Sequence, residues 1–149
     1  MKMTEKESNR IKKDYLWSYQ PVEKRIRQLD GEIERLRLER DATKAIQYSG
    51  MPNGQADRTS PQESYVMALE DAMQKREKLR IEYIRQQNEI KQAIHAIGDP
   101  ELELLLEYRY MECMTIAQVA SKIKYSISTT NRKHGMALRL FELPQNDTQ

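Results

Sequence analysis

Residues 115–141 read TIAQVASKIKYSISTTNRKHGMALRLF, and the fold follows from how that stretch packs. Thr115 opens a T-x-x-Q pattern, in which its hydroxyl and the Gln118 side chain reciprocally satisfy free donors at a helix start. Ser126 offers a second N-cap. The spacing predicts one helix from Thr115 to about Ile123 and another from Ser126 to Phe141, joined at Lys124-Tyr125. So short a turn makes the helices cross steeply, as in a helix-turn-helix. Ile116, Val119, Ala120 and Ile123 form the apolar face of the first, where small Ala120 permits close approach. On the second, a step of about 100° per residue sets Ile127, Thr130, His134, Ala137, Leu138 and Phe141 on the core side. Ser128, Thr129, Arg132, Met136 and Arg139 fall on the outer side, with Lys133 at its flank.

The charge pattern gives that outer side a chemistry. Thr115 to Phe141 carries Lys122, Lys124, Arg132, Lys133 and Arg139 and no acidic residue. A helix with hydroxyls near its start and cations further on suits the major groove, where Arg and Lys donate to guanine edges and Ser or Thr pairs with several bases. Ser128, Thr129, Arg132 and Lys133 are the candidate base contacts; Lys122, Lys124, Tyr125, Ser126 and Arg139 are the candidate contacts to the DNA backbone. Immediately upstream, Asp99, Glu101, Glu103, Glu107 and Glu112 stand against Arg109 alone, a balance that suits a basic protein partner. That acidic stretch should be a helix from Pro100 to about Met111. Gly98-Asp99-Pro100 marks its start, with glycine at the end of one helix, aspartate as N-cap and proline in the first turn of the next.

Further out, apolar residues recur at alternating spacings of three and four, the pattern of a helix with one partner stripe. One stripe is Val22, Ile26, Leu29, Ile33 and Leu36, continued upstream by Ile11, Tyr15 and Tyr19, with Pro21 kinking or restarting the helix. The other is Tyr65, Leu69, Ala72, Leu79, Tyr83, Ile90, Ile94 and Ile97, with polar Arg76 and Gln86 on its seam. YSGMPNGQADRTSP between them has loop composition and reverses the chain. The expected architecture is all-α: residues 1–98 form a long antiparallel helical hairpin, a coiled coil with a loop at 47–63, and residues 99–149 form a helix-turn-helix DNA-binding domain. A lone hairpin leaves apolar surface around Trp17 uncovered, so a homodimer or higher even oligomer is expected.

Composition excludes much else. No apolar run approaches the roughly 18 residues of a membrane span, and MKMTEKESNR lacks the core of a signal peptide, so the chain is expected in the cytoplasm and away from membranes. The single cysteine, Cys113, rules out an internal disulfide and a cysteine-based zinc cage, and is expected to be a small buried hydrophobe. His95 and His134 have no second ligand at metal spacing. No phosphate loop or nucleophile elbow occurs. The chain is therefore read as no enzyme, with no cofactor and no metal.

The stretch RYMECMTIAQVASKIKYSISTTNRKHGMALRLFE, residues 109–142, resembles region four of housekeeping-class sigma factors, the module that reads the promoter −35 element. It is similar still more closely to the RinA/ArpU-like late-gene transcriptional activators of phages and prophages of Gram-positive bacteria. Arg109-Tyr110, Ile116 to Ala120, Tyr125-Ser126, Arg132, His134-Gly135 and Ala137-Leu138 carry the likeness, and the SGMPNG loop also fits. The resemblance implies a sigma region four-like helix-turn-helix, double-stranded promoter or operator DNA, contact with RNA polymerase, and residence at the nucleoid of a bacterial host. A small-terminase-like packaging adaptor and a protein-binding scaffold are the alternatives. Cys113 departs from a usual glycine, and Thr130 and Lys133 from usual apolar residues; a non-glycine residue in a turn of positive φ is strained.

Overall fold

In the computed structural model, which describes residues 2–48 and 61–145, the chain is all-α, with no strand among the described residues. The helices are α1 (Glu5–Leu16), α2 (Gln20–Tyr48), α3 (Pro61–His95), α4 (Pro100–Leu106), α5 (Ile116–Ile123) and α6 (Ile127–Leu140), and a π-helical turn, Glu107–Met111, continues α4. Residues 49–60 of the expected loop lie outside the described residues.

Local chemistry explains most of these boundaries. Thr4 starts α1 through a capping box with Glu7, and the two bonds to Thr4 hold the Glu7 carboxyl below its ordinary range. Pro21 sits in the first turn of α2, where its missing donor costs nothing. Gly98 closes the α3 end at φ 80°, and the Asp99 carboxylate accepts from the amides of Glu101 (3.1 Å) and Leu102 (3.3 Å).

The chain divides into two compact units, Pro21–Tyr83 and Met1–Gln20 together with Ile84–Gln149, so the turn at Gly98 lies inside a unit. In the first, Ile33, Leu69 and Ala72 form a small core flanked by Leu36. Arg76 on the seam pairs with Asp30 at 3.0 Å, and Arg80 approaches the same carboxylate at 3.8 Å.

In the second unit, α4 and α5 pack on α6, with Leu102, Leu105, Leu106, Val119, Ala137 and Leu138 buried. The N-terminal helix completes this core. Leu16 and Tyr19 are buried, and the Tyr15 ring lies 6.0 Å from that of buried Phe141. The Lys12 ammonium donates to the carbonyls of Leu138 (2.7 Å) and Arg139 (3.4 Å), groups left without helical partners at the end of α6. Ile11, expected on the first stripe, is exposed: α1 is buried at its end, through Tyr15 and Leu16, with Tyr19 following in the turn.

Trp17 also finds its partners within the chain, in an edge contact with Tyr110 at 4.8 Å and beneath the Arg109 guanidinium at 5.1 Å. That removes the uncovered tryptophan expected from the sequence. Tyr19 donates to the Tyr110 carbonyl in the π-helical turn, whose wider bonding runs from the Glu112 amide to the Glu107 carbonyl (3.0 Å). Cys113 follows at φ 56°, as expected of a turn that prefers glycine. It is exposed, however, not buried: it sits in a left-handed turn outside the helices, with its sulfur 3.3 Å from the Tyr19 hydroxyl.

Candidate nucleic-acid interface

The candidate surface is the turn between α5 and α6 together with the outer side of α6. The capping box at the α5 start forms as the pattern requires: the Gln118 amide donates to the Thr115 hydroxyl (3.2 Å), and the Thr115 amide to the Gln118 side chain (2.9 Å). At the other end Lys124 takes left-handed φ 61°, ψ 42°, and the Tyr125 amide reaches back to the Ala120 carbonyl at 3.1 Å. Ser126 then caps α6. Its hydroxyl accepts from the Thr129 amide (3.1 Å) and donates to the Thr129 hydroxyl (2.9 Å).

Thr130 is fully buried but not orphaned, because its hydroxyl donates to the Ser126 carbonyl at 2.9 Å. His134 is half-buried in the core, 2.8 Å from the Tyr110 hydroxyl and stacked on that ring with centroids 5.7 Å apart. Burial, reinforced by the charges of Lys13 and Arg109, pushes its pKa down to about 4. Burial likewise pushes the Tyr110 hydroxyl up to about 12, so at neutral pH a protonated hydroxyl faces a neutral imidazole. His134 belongs to the interior, not to a phosphate site.

The candidate DNA contacts separate into three groups. Ser128 and Arg132 are exposed on α6, Thr129 is half-buried beside its cap, and Lys122, Lys124, Tyr125 and Ser126 are exposed on α5 and the turn. Among the described residues, Lys122, Lys124 and Arg132 have no ion-pair partner, whereas the other two cations are engaged. Arg139 pairs with Glu5 at 3.1 Å, both side chains more than half exposed. Lys133 is mostly covered: its ammonium forms an ion pair with Glu101 of α4 and lies 4.6 Å from the centre of the Tyr125 ring. The bond to Glu101, chiefly, raises its pKa.

Two residues sit differently from the helical projection. Ile127, expected on the core side, is exposed, because it is the first residue of α6 and precedes the point where the helix meets α5 and α4. Asn131 was not singled out by sequence, yet it is exposed beside Arg132. Its side-chain amide matches an adenine edge, and the same 100° projection, taken one position further round, would have found it.

The acidic residues of α4 and its extension work mostly inside the chain. Asp99 caps α4, Glu101 holds Lys133 and accepts from the Tyr125 hydroxyl (3.3 Å), and Glu103 accepts from the Gly98 amide (3.0 Å). His95 lies 3.4 Å from Glu103 and 3.0 Å from Glu107. Among the described residues no group of three His, Cys, Asp or Glu stands together as a metal site, and no helix is long and apolar enough to cross a membrane.

Residues 52–142, more than half of the chain, match a family described as "Protein of unknown function (DUF1492)", and the chain belongs to that family. No curated protein and no solved structure matches it.

Proposed function

We propose that this chain is a DNA-binding transcriptional regulator, not an enzyme, in which α5, the Lys124-Tyr125 turn and α6 act as a helix-turn-helix of the sigma region-four kind. One observation carries the reading: Lys122, Lys124 and Arg132 stand exposed, with no ion-pair partner among the described residues, in a segment, residues 115–141, that contains no acid. Unpaired cations on one surface are the electrostatic footprint of phosphate binding, since each neutralised phosphate releases a condensed counterion. In this reading α6 enters the major groove with Ser128, Asn131 and Arg132 toward base edges, while Lys122, Lys124, Tyr125 and the α6 start hold the backbone.

The resemblance to RinA/ArpU-like activators extends the proposal to late-gene activation in a phage or prophage. RNA polymerase is then met by α2 and α3, because the acids of α4 are already engaged within the chain. Within Pro21–Tyr83, Asp30 meets Arg76 and Arg80 and Ile33 meets Leu69 and Ala72, the register an antiparallel hairpin would give. Beside that small core Leu38, Ile46, Val66, Met67, Met73 and Ile81 are exposed, which supports self-association through the same unit.

Titrating the full chain against duplex DNA over a range of salt tests this. The two cations assigned to the backbone, Lys122 and Lys124, predict a slope of log K against log salt of about −2 per protomer. Addition to purified host polymerase should raise transcription from a bound late promoter. Binding that ignores salt, or no binding at low salt, contradicts the proposal; occupancy without any effect on transcription, combined with tight binding of a large terminase subunit, favours packaging instead.

A further inference from the structure

The pairing of Lys133 has a use if α6 is the DNA-reading helix, a use that therefore rests on the DNA-binding proposal. Lys133 follows Arg132 directly, about 100° further round α6, and its flexible four-carbon stem is long enough to bring a free ammonium to the rim of the same surface. It is not free. The ammonium is paired with the Glu101 carboxylate and lies against the Tyr125 ring, and the Tyr125 hydroxyl donates to the other Glu101 oxygen at 3.3 Å. Glu101 is itself fixed, since its amide is bonded to the Asp99 cap at 3.1 Å in the first turn of α4, where the helix dipole favours a negative charge. Three elements therefore converge on one carboxylate: α4, the turn and α6.

We infer that Glu101 is a positioning residue that withholds Lys133 from DNA. A cation loose beside Arg132 would strengthen attraction to every phosphate alike, whereas specificity depends on the ratio of specific to random binding. By neutralising Lys133 and fixing Tyr125, Glu101 lowers affinity for random sequence and leaves Arg132 as the α6 cation with no ion-pair partner among the described residues. Glu101 touches no base in this arrangement; it acts through Lys133.

Glu101→Gln isolates the charge, because its one amide oxygen can still accept from Lys133 while its NH2 donates to the Tyr125 hydroxyl oxygen. In the full chain, E101Q should bind random duplex several-fold more tightly, with the salt slope steeper by about one ion, while specific affinity rises less. Lys133→Gln alone should change random binding little. The double variant E101Q/K133Q should return to the wild-type slope. A merely structural ion pair would move the melting temperature and leave the slope alone. The inference is overturned if E101Q folds and its random-DNA affinity and slope match wild type, or if the gain persists in the double variant, which would make it simple relief of repulsion by the carboxylate. It is also overturned if K133Q alone weakens random binding as much as Lys122→Gln, since Lys133 would then already lie on phosphate. A wild-type chain that binds no duplex at low salt defeats this inference together with the DNA-binding proposal; wild-type binding with an unchanged E101Q defeats this inference alone.

Discussion

Lys124 holds a backbone conformation that favours glycine, at φ 61°. For an L-residue that conformation costs on the order of 1 kcal/mol. The left-handed turn lets the Tyr125 amide close α5 on the Ala120 carbonyl, a role glycine would fill without the strain, whereas the Lys124 side chain is exposed and makes no ion pair among the described residues. Lys124→Gly should accordingly raise stability by about 1 kcal/mol and at the same time weaken random and specific DNA alike, with a salt slope shallower by about one ion. Melting and binding measured on the same preparation check it, and a variant that is both more stable and equally tight on DNA would remove Lys124 from the interface.

His134 presents the opposite case, a titratable group committed to the interior. Its folded pKa of about 4 lies below the ordinary 6.5, so the unfolded chain takes up the proton first as pH falls. Stability from this group is complete above about pH 6.5 and is lost progressively as pH falls toward 4. Melting temperature should drop across that window, and His134→Gln, which can still accept from the Tyr110 hydroxyl, should flatten the dependence. An equally steep profile in the variant would place the acid sensitivity elsewhere.

At the scale of elements, the sequence carried the local signals and missed the long-range ones. Thr115 with Gln118, Asp99 before Pro100, Gly98 at its positive φ and Ser126 before α6 were all legible, because a cap is settled by residues within three positions of one another. The apolar residues of the α2 and α3 stripes are likewise buried or half-buried wherever they are described. The destination of α1 was not legible. Tyr15 and Tyr19 have the spacing of the α2 stripe, and nothing local reveals that they close on Phe141 and Tyr110 at the other end of the chain. For the same reason the sequence marked Lys133 as available; only the crossing of α4 over α6 brings Glu101 to it. The docking of α1 predicts that residues 99–149 alone are an incomplete unit. Removing residues 2–19 strips buried Leu16 and Tyr19 from the core, and one large buried side chain is commonly worth about 2–5 kcal/mol. The truncated chain should lose most of its cooperative melting transition; an unchanged transition would mean that α1 is dispensable.

At the scale of the whole molecule, a net charge of +2 hides an uneven distribution in which cations gather at α5 and α6 and neighbouring acids are taken up in caps and internal pairs. Steering toward a polyanion depends on that local field, not on the total. The unit Pro21–Tyr83 contributes differently. Its small core and exposed apolar side chains predict self-association through α2 and α3, and sedimentation of the intact chain should give a dimer or a higher even oligomer. A monomer at high micromolar concentration would leave those side chains to some other partner.

The most direct test of α6 as the reading helix is a comparison of Arg132→Ala with wild type on two duplexes, one selected from the native genome by the protein and one of random sequence. Arg132 is exposed and makes no ion pair among the described residues, so the substitution should leave helicity and melting unchanged. It should cost about 1–3 kcal/mol on the selected duplex, the worth of a good base contact, and much less on the random one. Equal losses on both duplexes, or no loss on either, would contradict the placement of this face in the groove.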